Sequence, residues 1–142
     1  MTTIDFYTHV ADRLDVAARL VAKAYAGHGS VRVLTPDRVT TDALDRLLWV
    51  QSQLSFLPHC RMDSAIAAET PIWIDEALEH AGPAAVLVNL HPKPAPFFSR
   101  FERLAEIVGT ALDDVVAARE RFRFYRERGY ELRSHNLSGR GD

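Results

Sequence analysis

The sequence predicts a three-layer α/β fold, a mostly parallel sheet flanked by helices, on three observations. Apolar residues switch from an alternating period to a helical one: Ile4, Phe6, Thr8 and Val10 alternate with Asp5, Tyr7 and His9, after which Leu14, Ala17, Ala18, Val21, Ala22 and Tyr25 fall on one helix face. Ala84 to Leu90, reading AAVLVNL, is a continuous apolar run of strand length, as a strand covered on both faces requires. Strand-like and helix-like segments also follow one another along the chain, the order that builds βα units.

The first strand spans Ile4–Val10 and the first helix Leu14–Ala26, stopped by Gly27-His28-Gly29. Val31–Leu34 is a short strand, and Pro36-Asp37 opens a turn. Thr40 or Thr41 is expected to cap the next helix, which runs to about Trp49 or Gln51 on Ala43, Leu44, Leu47 and Leu48. Ser55-Phe56-Leu57-Pro58-His59 reads as an extended, proline-marked segment, Met62–Thr70 as a loop, and Pro71–Ile74 as a strand. His91-Pro92-Lys93-Pro94-Ala95-Pro96, with three prolines, cannot be helix or central strand. A short helix begins at Phe97 and a strand spans Leu104–Val108. The last helix runs from Leu112 to about Glu127, with Asp113 and Asp114 in its favourable first turn and Gly129 at its end. From Arg133 onward the chain reads as tail, giving one domain over 1–135 and a polar tail over 136–142.

The 142 residues suit a single domain, and a net charge of −2 argues against a protein that coats duplex DNA. Cys60 is the single cysteine, so no internal disulfide forms, which fits a reducing cytoplasm. The opening residues lack a basic start followed by an apolar run, so no signal peptide is expected, and no stretch approaches the ~18 apolar residues of a membrane span. Asn136-Leu137-Ser138 and Arg140-Gly141-Asp142 match a glycosylation sequon and an adhesion tripeptide, but in a polar tail both are read as coincidence.

Phosphate-binding glycine loops and the nucleophile elbow are missing; Gly27-His28-Gly29-Ser30 follows a helix where a phosphate loop would lead into one. His59-Cys60 with Asp63 lacks the paired spacing of a metal site. His9 reads as a strand position, His28 as a helix-end residue, and Asp5 as a solvated strand residue. No metal or cofactor is implied.

One segment departs from this plain background. Between Arg119 and Arg133 lie six Arg and three Glu, a balance of +3, whereas residues 1–118 carry −5. Arg119, Phe122, Arg123 and Arg126 share a helical face, and Arg beside Phe suits an acidic peptide that carries an aromatic or a free carboxylate. Taken alone, the segment reads first as an amphipathic helix, with Phe122 and Tyr125 on the sheet and arginines solvated or paired with Glu120 and Glu127, and only second as a binding site. A single-stranded nucleic-acid-binding module and a small phosphate-handling enzyme also remain open on the residues alone.

The order of segments narrows this. Leu44-Asp45-Arg46-Leu47-Leu48-Trp49, Ser55-Phe56-Leu57-Pro58-His59, Thr70-Pro71-Ile72-Trp73-Ile74, Val86–Leu90, Phe98-Ser99-Arg100-Phe101 and Ala118–Tyr130 together resemble the chi subunit of bacterial DNA polymerase III holoenzyme, over Ile4 to about His135. The resemblance implies a Rossmann-like fold and a non-catalytic, cytoplasmic clamp-loader accessory without a cofactor. It implies two partners: the acidic C-terminal tail of single-stranded DNA-binding protein, which ends in Pro-Phe, and the psi subunit. DNA would be met only indirectly, and no membrane is involved. By position, Trp49, Phe56 and Phe122 match residues that receive the terminal Phe, Arg119 matches the cation for its carboxylate, and Arg123 matches a cation for upstream acids. Arg126 is a further candidate contact, while Arg121 and Arg128 are expected to be solvated.

Overall fold

The computed structural model describes residues 2–51, 59–61, 72–76 and 84–138. Its elements in chain order are β1 (Thr3–Val10), α1 (Arg13–His28), β2 (Val31–Leu34), α2 (Arg38–Gln51), β3 (His59–Arg61), β4 (Ile72–Asp75), β5 (Val86–Asn89), a single 3-10 turn (Phe98–Arg100), β6 (Arg103–Gly109), α3 (Leu112–Glu127) and β7 (Leu132–Asn136). Among the described residues the strands form one sheet in the order β3-β4-β2-β5-β6-β1-β7. Every neighbouring pair in it is parallel.

Strand side chains alternate between two cores, because successive residues of a strand point to opposite faces. Val31, Val33, Val86, Val88, Ala105 and Ile107 face α1 and α2, whose Val16, Ala17, Ala18, Val21, Leu44 and Leu48 cover them. Ile4, Phe6, Leu34, Leu87, Leu104 and Val108 face the other way, toward Ala118 and Tyr125 of α3 and the phenylalanines of residues 97–101. The molecule is therefore α1 and α2 on one face, α3 on the other, and the sheet between them. This is the three-layer, Rossmann-like arrangement expected, with β5 at its centre between β2 and β6, all three buried save Arg103 at the start of β6.

Local chemistry sets the helix ends. Asp12 precedes α1 and its carboxylate accepts the Asp15 N–H at 3.1 Å. Gly29 closes α1 at φ 84°, its N–H bonded to the Tyr25 carbonyl, so the helix runs two residues further than its apolar period suggests. Asp37, not Thr40 or Thr41, caps α2: its carboxylate accepts the Thr40 N–H at 2.8 Å, which holds its pKa below the usual value. Gly129, at φ 82°, ends α3 where expected.

Three expectations are corrected. Residues from Arg133 are not tail at first: Leu132–Asn136 is an edge strand, paired in parallel with β1. Asp5 is not solvated; it is 7% exposed and binds Arg133 and His135 on that added strand. Arg121 is not solvated either. It is 1% exposed and its Nε donates to Glu106 of β6 at 2.9 Å, while Nη1 donates to the Pro92 carbonyl at 2.8 Å. The loop expected at Met62–Thr70 and most of the segment expected at Ser55–His59 lie outside the described residues; His59 opens β3.

Glu106 is fully buried on the α3 face of the sheet and gathers Arg121, the Tyr125 hydroxyl at 2.5 Å and the Asn89 amide at 3.0 Å. Burial pushes its carboxyl above the usual range, against the pull of Arg121, Tyr125 and Asn89. Burial, reinforced by Glu106, raises the Tyr125 phenol well above its ordinary value and keeps it a donor. Removing one partner of such a pair strands the other. Arg121→Ala is expected to destabilise the fold by about 3–5 kcal/mol, seen as a lower urea midpoint at unchanged slope, with Arg119→Ala shifting it little.

Candidate functional site

α3 carries the basic segment, and its geometry follows from 3.6 residues per turn. Ala118, Arg121 and Tyr125 point to the sheet. Arg119 and Arg126 lie only about 20° apart around the axis, on the side of Phe122, while Arg123, about 40° further round from Arg119, is the most outward of them and lines a different concavity. The face expected to act as one surface is thus a ridge between two concavities.

The first concavity, about 460 Å³, lies over β1, β6 and β7 and is lined by Phe6, Thr8, His9, Val108, Arg119, Phe122 and Ser134 among others. Phe122 is partly buried and meets Phe6 edge-on, with ring centroids 5.3 Å apart. The Arg126 guanidinium stands 5.8 Å from the Phe122 ring centre. Arg119 is exposed at this lip and forms no ion pair among the described residues. His9 shapes the rim: it has φ 60°, and the pairing of β1 with β6 shifts register between Tyr7 and Val10. A non-glycine residue in the left-handed region inside a strand marks such a bulge.

The second concavity, about 540 Å³, lies on the other flank, between α3 and the proline-rich segment after β5. Lys93, Arg123 and Phe124 line it with Pro92, Pro94 and Glu127. Arg128 stacks on Phe124 at 3.6 Å from its ring centre, so it is exposed, as expected, yet held. The His91 Nδ1 accepts the Lys93 N–H at 3.1 Å, which shapes the segment.

Of the residues singled out from the sequence, Arg119 and Phe122 meet at the first concavity, with Arg126 above it, and Arg123 opens into the second. Trp49 sits elsewhere: it is 51% exposed on α2, in the helix layer across the sheet from α3. Phe56 lies outside the described residues. Phe6, Phe124 and Lys93 were not anticipated. Phe124 and Arg128 stand four apart, a helical pairing visible in the sequence, whereas Phe6 and Lys93 reach α3 only through the fold.

A third concavity occupies the carboxyl edge of the sheet, where open α/β sheets commonly hold ligands. Asp113 and Asp114 line it, and Asp114 accepts the Gly109 N–H at 2.6 Å. Arg13 is tied to the Leu90 carbonyl and stands 3.5 Å from Asp114. Carboxylates thus occupy the helix start that a phosphate would use, which disfavours phosphate-handling chemistry there. Among the described residues no cluster of three or more His, Cys, Asp or Glu could hold a metal ion, and no helix is long and apolar enough to cross a membrane.

A family model described as DNA polymerase III chi subunit, HolC, matches residues 1–133. The DNA polymerase III subunit chi of Pseudomonas aeruginosa is 34% identical over 141 residues, covering 96% of this chain and 98% of that protein. The probable DNA polymerase III subunit chi of Rickettsia prowazekii is 31% identical over 86 residues, covering 59% of this chain and 52% of that protein.

The geometry also carries a pH signature. His91 is held below its ordinary pKa, mainly by burial and then by Lys93 and Arg121. A histidine with a lowered folded pKa favours the native state while neutral, and that contribution is lost as pH falls through the unfolded value of about 6.5. Urea midpoints are therefore expected to fall more for the native sequence than for His91→Gln between pH 7 and pH 5.

Proposed function

The chain belongs to the DNA polymerase III chi subunit family, an accessory and not a catalytic part of the polymerase, and on that premise we propose that the α3 ridge captures the acidic C-terminal tail of single-stranded DNA-binding protein. The tail's terminal Phe enters the concavity walled by Phe6 and Phe122. Its carboxylate meets Arg119, whose planar guanidinium can hold both oxygens. Upstream acidic residues cross the crest past Arg126 toward Arg123. Trp49, in the other helix layer, takes no part in that concavity. A psi subunit, bound elsewhere, would link the chain to the clamp loader.

The observation that carries this reading is Arg119. It is an exposed cation without an ion-pair partner among the described residues, at the lip of an apolar concavity floored by two aromatic rings. A carboxylate joined to an aromatic ring satisfies both features at once. The body of the protein is acidic, so the exposed arginines of α3 favour an acidic ligand at this ridge.

Calorimetric titration with an acidic peptide ending in Pro-Phe tests the reading. Binding on the order of micromolar is expected, weakening as salt rises. The peptide lacking its last Phe is expected to lose most of the affinity, and Arg119→Ala at least about tenfold, a difference of about 1.4 kcal/mol. Equal binding of both peptides, or an unaffected Arg119→Ala, refutes the assignment.

A further inference from the structure

A second cationic site lies on the other face of the sheet, the α1 side, away from the α3 ridge. β1 and β7 run in register there, placing Asp5 beside Arg133 and Tyr7 beside His135. Arg133 donates to Asp5 from Nε at 2.9 Å, and His135 Nε2 lies 3.0 Å from the same carboxylate. The Tyr7 and His135 rings stack nearly parallel, with centroids 4.8 Å apart and planes 19° from coplanar. Arg133 and His135 nevertheless keep 47% and 43% of their side-chain surface exposed.

Next to this stack a cleft of about 260 Å³ runs between the second half of α1 and the starts of β5 and β6. Lys23, His28, Arg103, Asp5 and Tyr7 line it, and Asp5 is the one carboxylate among its lining residues. That carboxylate is already engaged by Arg133. Lys23 and Arg103 are exposed and form no ion pair among the described residues. Arg103 and Arg133 both stand close enough to the Tyr7 phenol to oppose the rise in its pKa that burial causes.

An acidic protein that places a flat ring surface beside three cations, two of them without a carboxylate partner, offers a base-stacking platform with phosphate contacts. The Asp5 bridge pre-organises Arg133 and His135, so little side-chain freedom is lost when a ligand arrives. We propose that this cleft binds single-stranded nucleic acid, one base resting on the exposed face of the His135–Tyr7 stack and the flanking phosphates on Arg103, Lys23 and Arg133. This goes beyond tail capture and is separated from it by the sheet, so both ligands could be held at once.

Fluorescence anisotropy on the full chain, with labelled oligodeoxyuridylate and oligouridylate of about ten nucleotides, tests the proposal at low salt. Saturable binding is expected, with log K against log salt falling at a slope of about −2, the value for three phosphates on a single strand. Binding of both oligomers assigns the site to any single strand; a preference for one assigns it to that sugar. The Lys23→Glu/Arg103→Glu pair is expected to weaken binding at least about tenfold, and because both side chains are exposed the circular dichroism should not change. Tyr7→Leu should weaken binding with an unaltered salt slope, and Arg119→Glu should have no effect. No saturable signal up to about 100 μM, loss on Arg119→Glu equal to that of the double variant, or displacement by the acidic peptide would each overturn the proposal.

Discussion

Glu106 and Arg121 meet in the layer between the sheet and α3, and the placement of the whole ridge depends on that contact. Glu106 sits on a strand three from the β7 edge, inside a sheet paired on both sides of it. Arg121 belongs to the helix and also holds the Pro92 carbonyl. One guanidinium therefore ties β6, α3 and the proline-rich segment together, with the Tyr125 hydroxyl donating to the other carboxylate oxygen and the Asn89 amide shared between both. A buried ion pair is weak evidence of net stability, but it is intolerant of displacement, because sliding or rotating α3 would strand a charge away from water. With α3 so registered, Phe122 falls toward Phe6 and Phe124 toward Phe98, and the two concavities open on either side of the crest.

β7 has the complementary role at the sheet edge. Leu132 is its one residue among those packed against the cores, with Tyr130 and Leu137 packing on either side of the strand, so apolar burial holds it weakly. Asp5, the Tyr7–His135 stack and five registered pairs with β1 hold it instead. The same polar side chains that fasten this edge leave a cationic surface there. Two sides of one sheet thus present exposed cations on a chain whose net charge is −2: a ridge beside the Phe6–Phe122 contact, and a cleft beside the flat Tyr7–His135 stack.

The layered fold was legible because backbone preference and burial leave periodic traces. β2, β5 and α3 have the bounds their apolar patterns suggested, with small shifts at strand ends. β7 was not legible, since LRSHN has one apolar residue and its pairing is carried by backbone and by Asp5, more than a hundred residues away. Arg121 shows the same limit in sharper form. Its spacing from Ala118 and Tyr125 places it on their buried face, yet arginine is almost never buried unless paired. The partner, Glu106, lies on another element and carries no mark in the sequence.

By itself the sequence determined the α/β fold class, the place of its dense basic and aromatic segment in the last helix, and, through the order of its motifs, its family. Such properties are local or additive along the chain, so they survive without coordinates. Tertiary structure alone decided which side chains line the same concavity. It set Phe122 and Arg123 against different concavities, placed Trp49 in the opposite layer, drew Phe6 to Phe122, and turned Arg121 from a surface charge into the bolt between helix and sheet. Those outcomes depend on the rotation of α3 about its axis and on the face of the sheet each helix covers, and both are settled only when distant side chains compete for the same buried space.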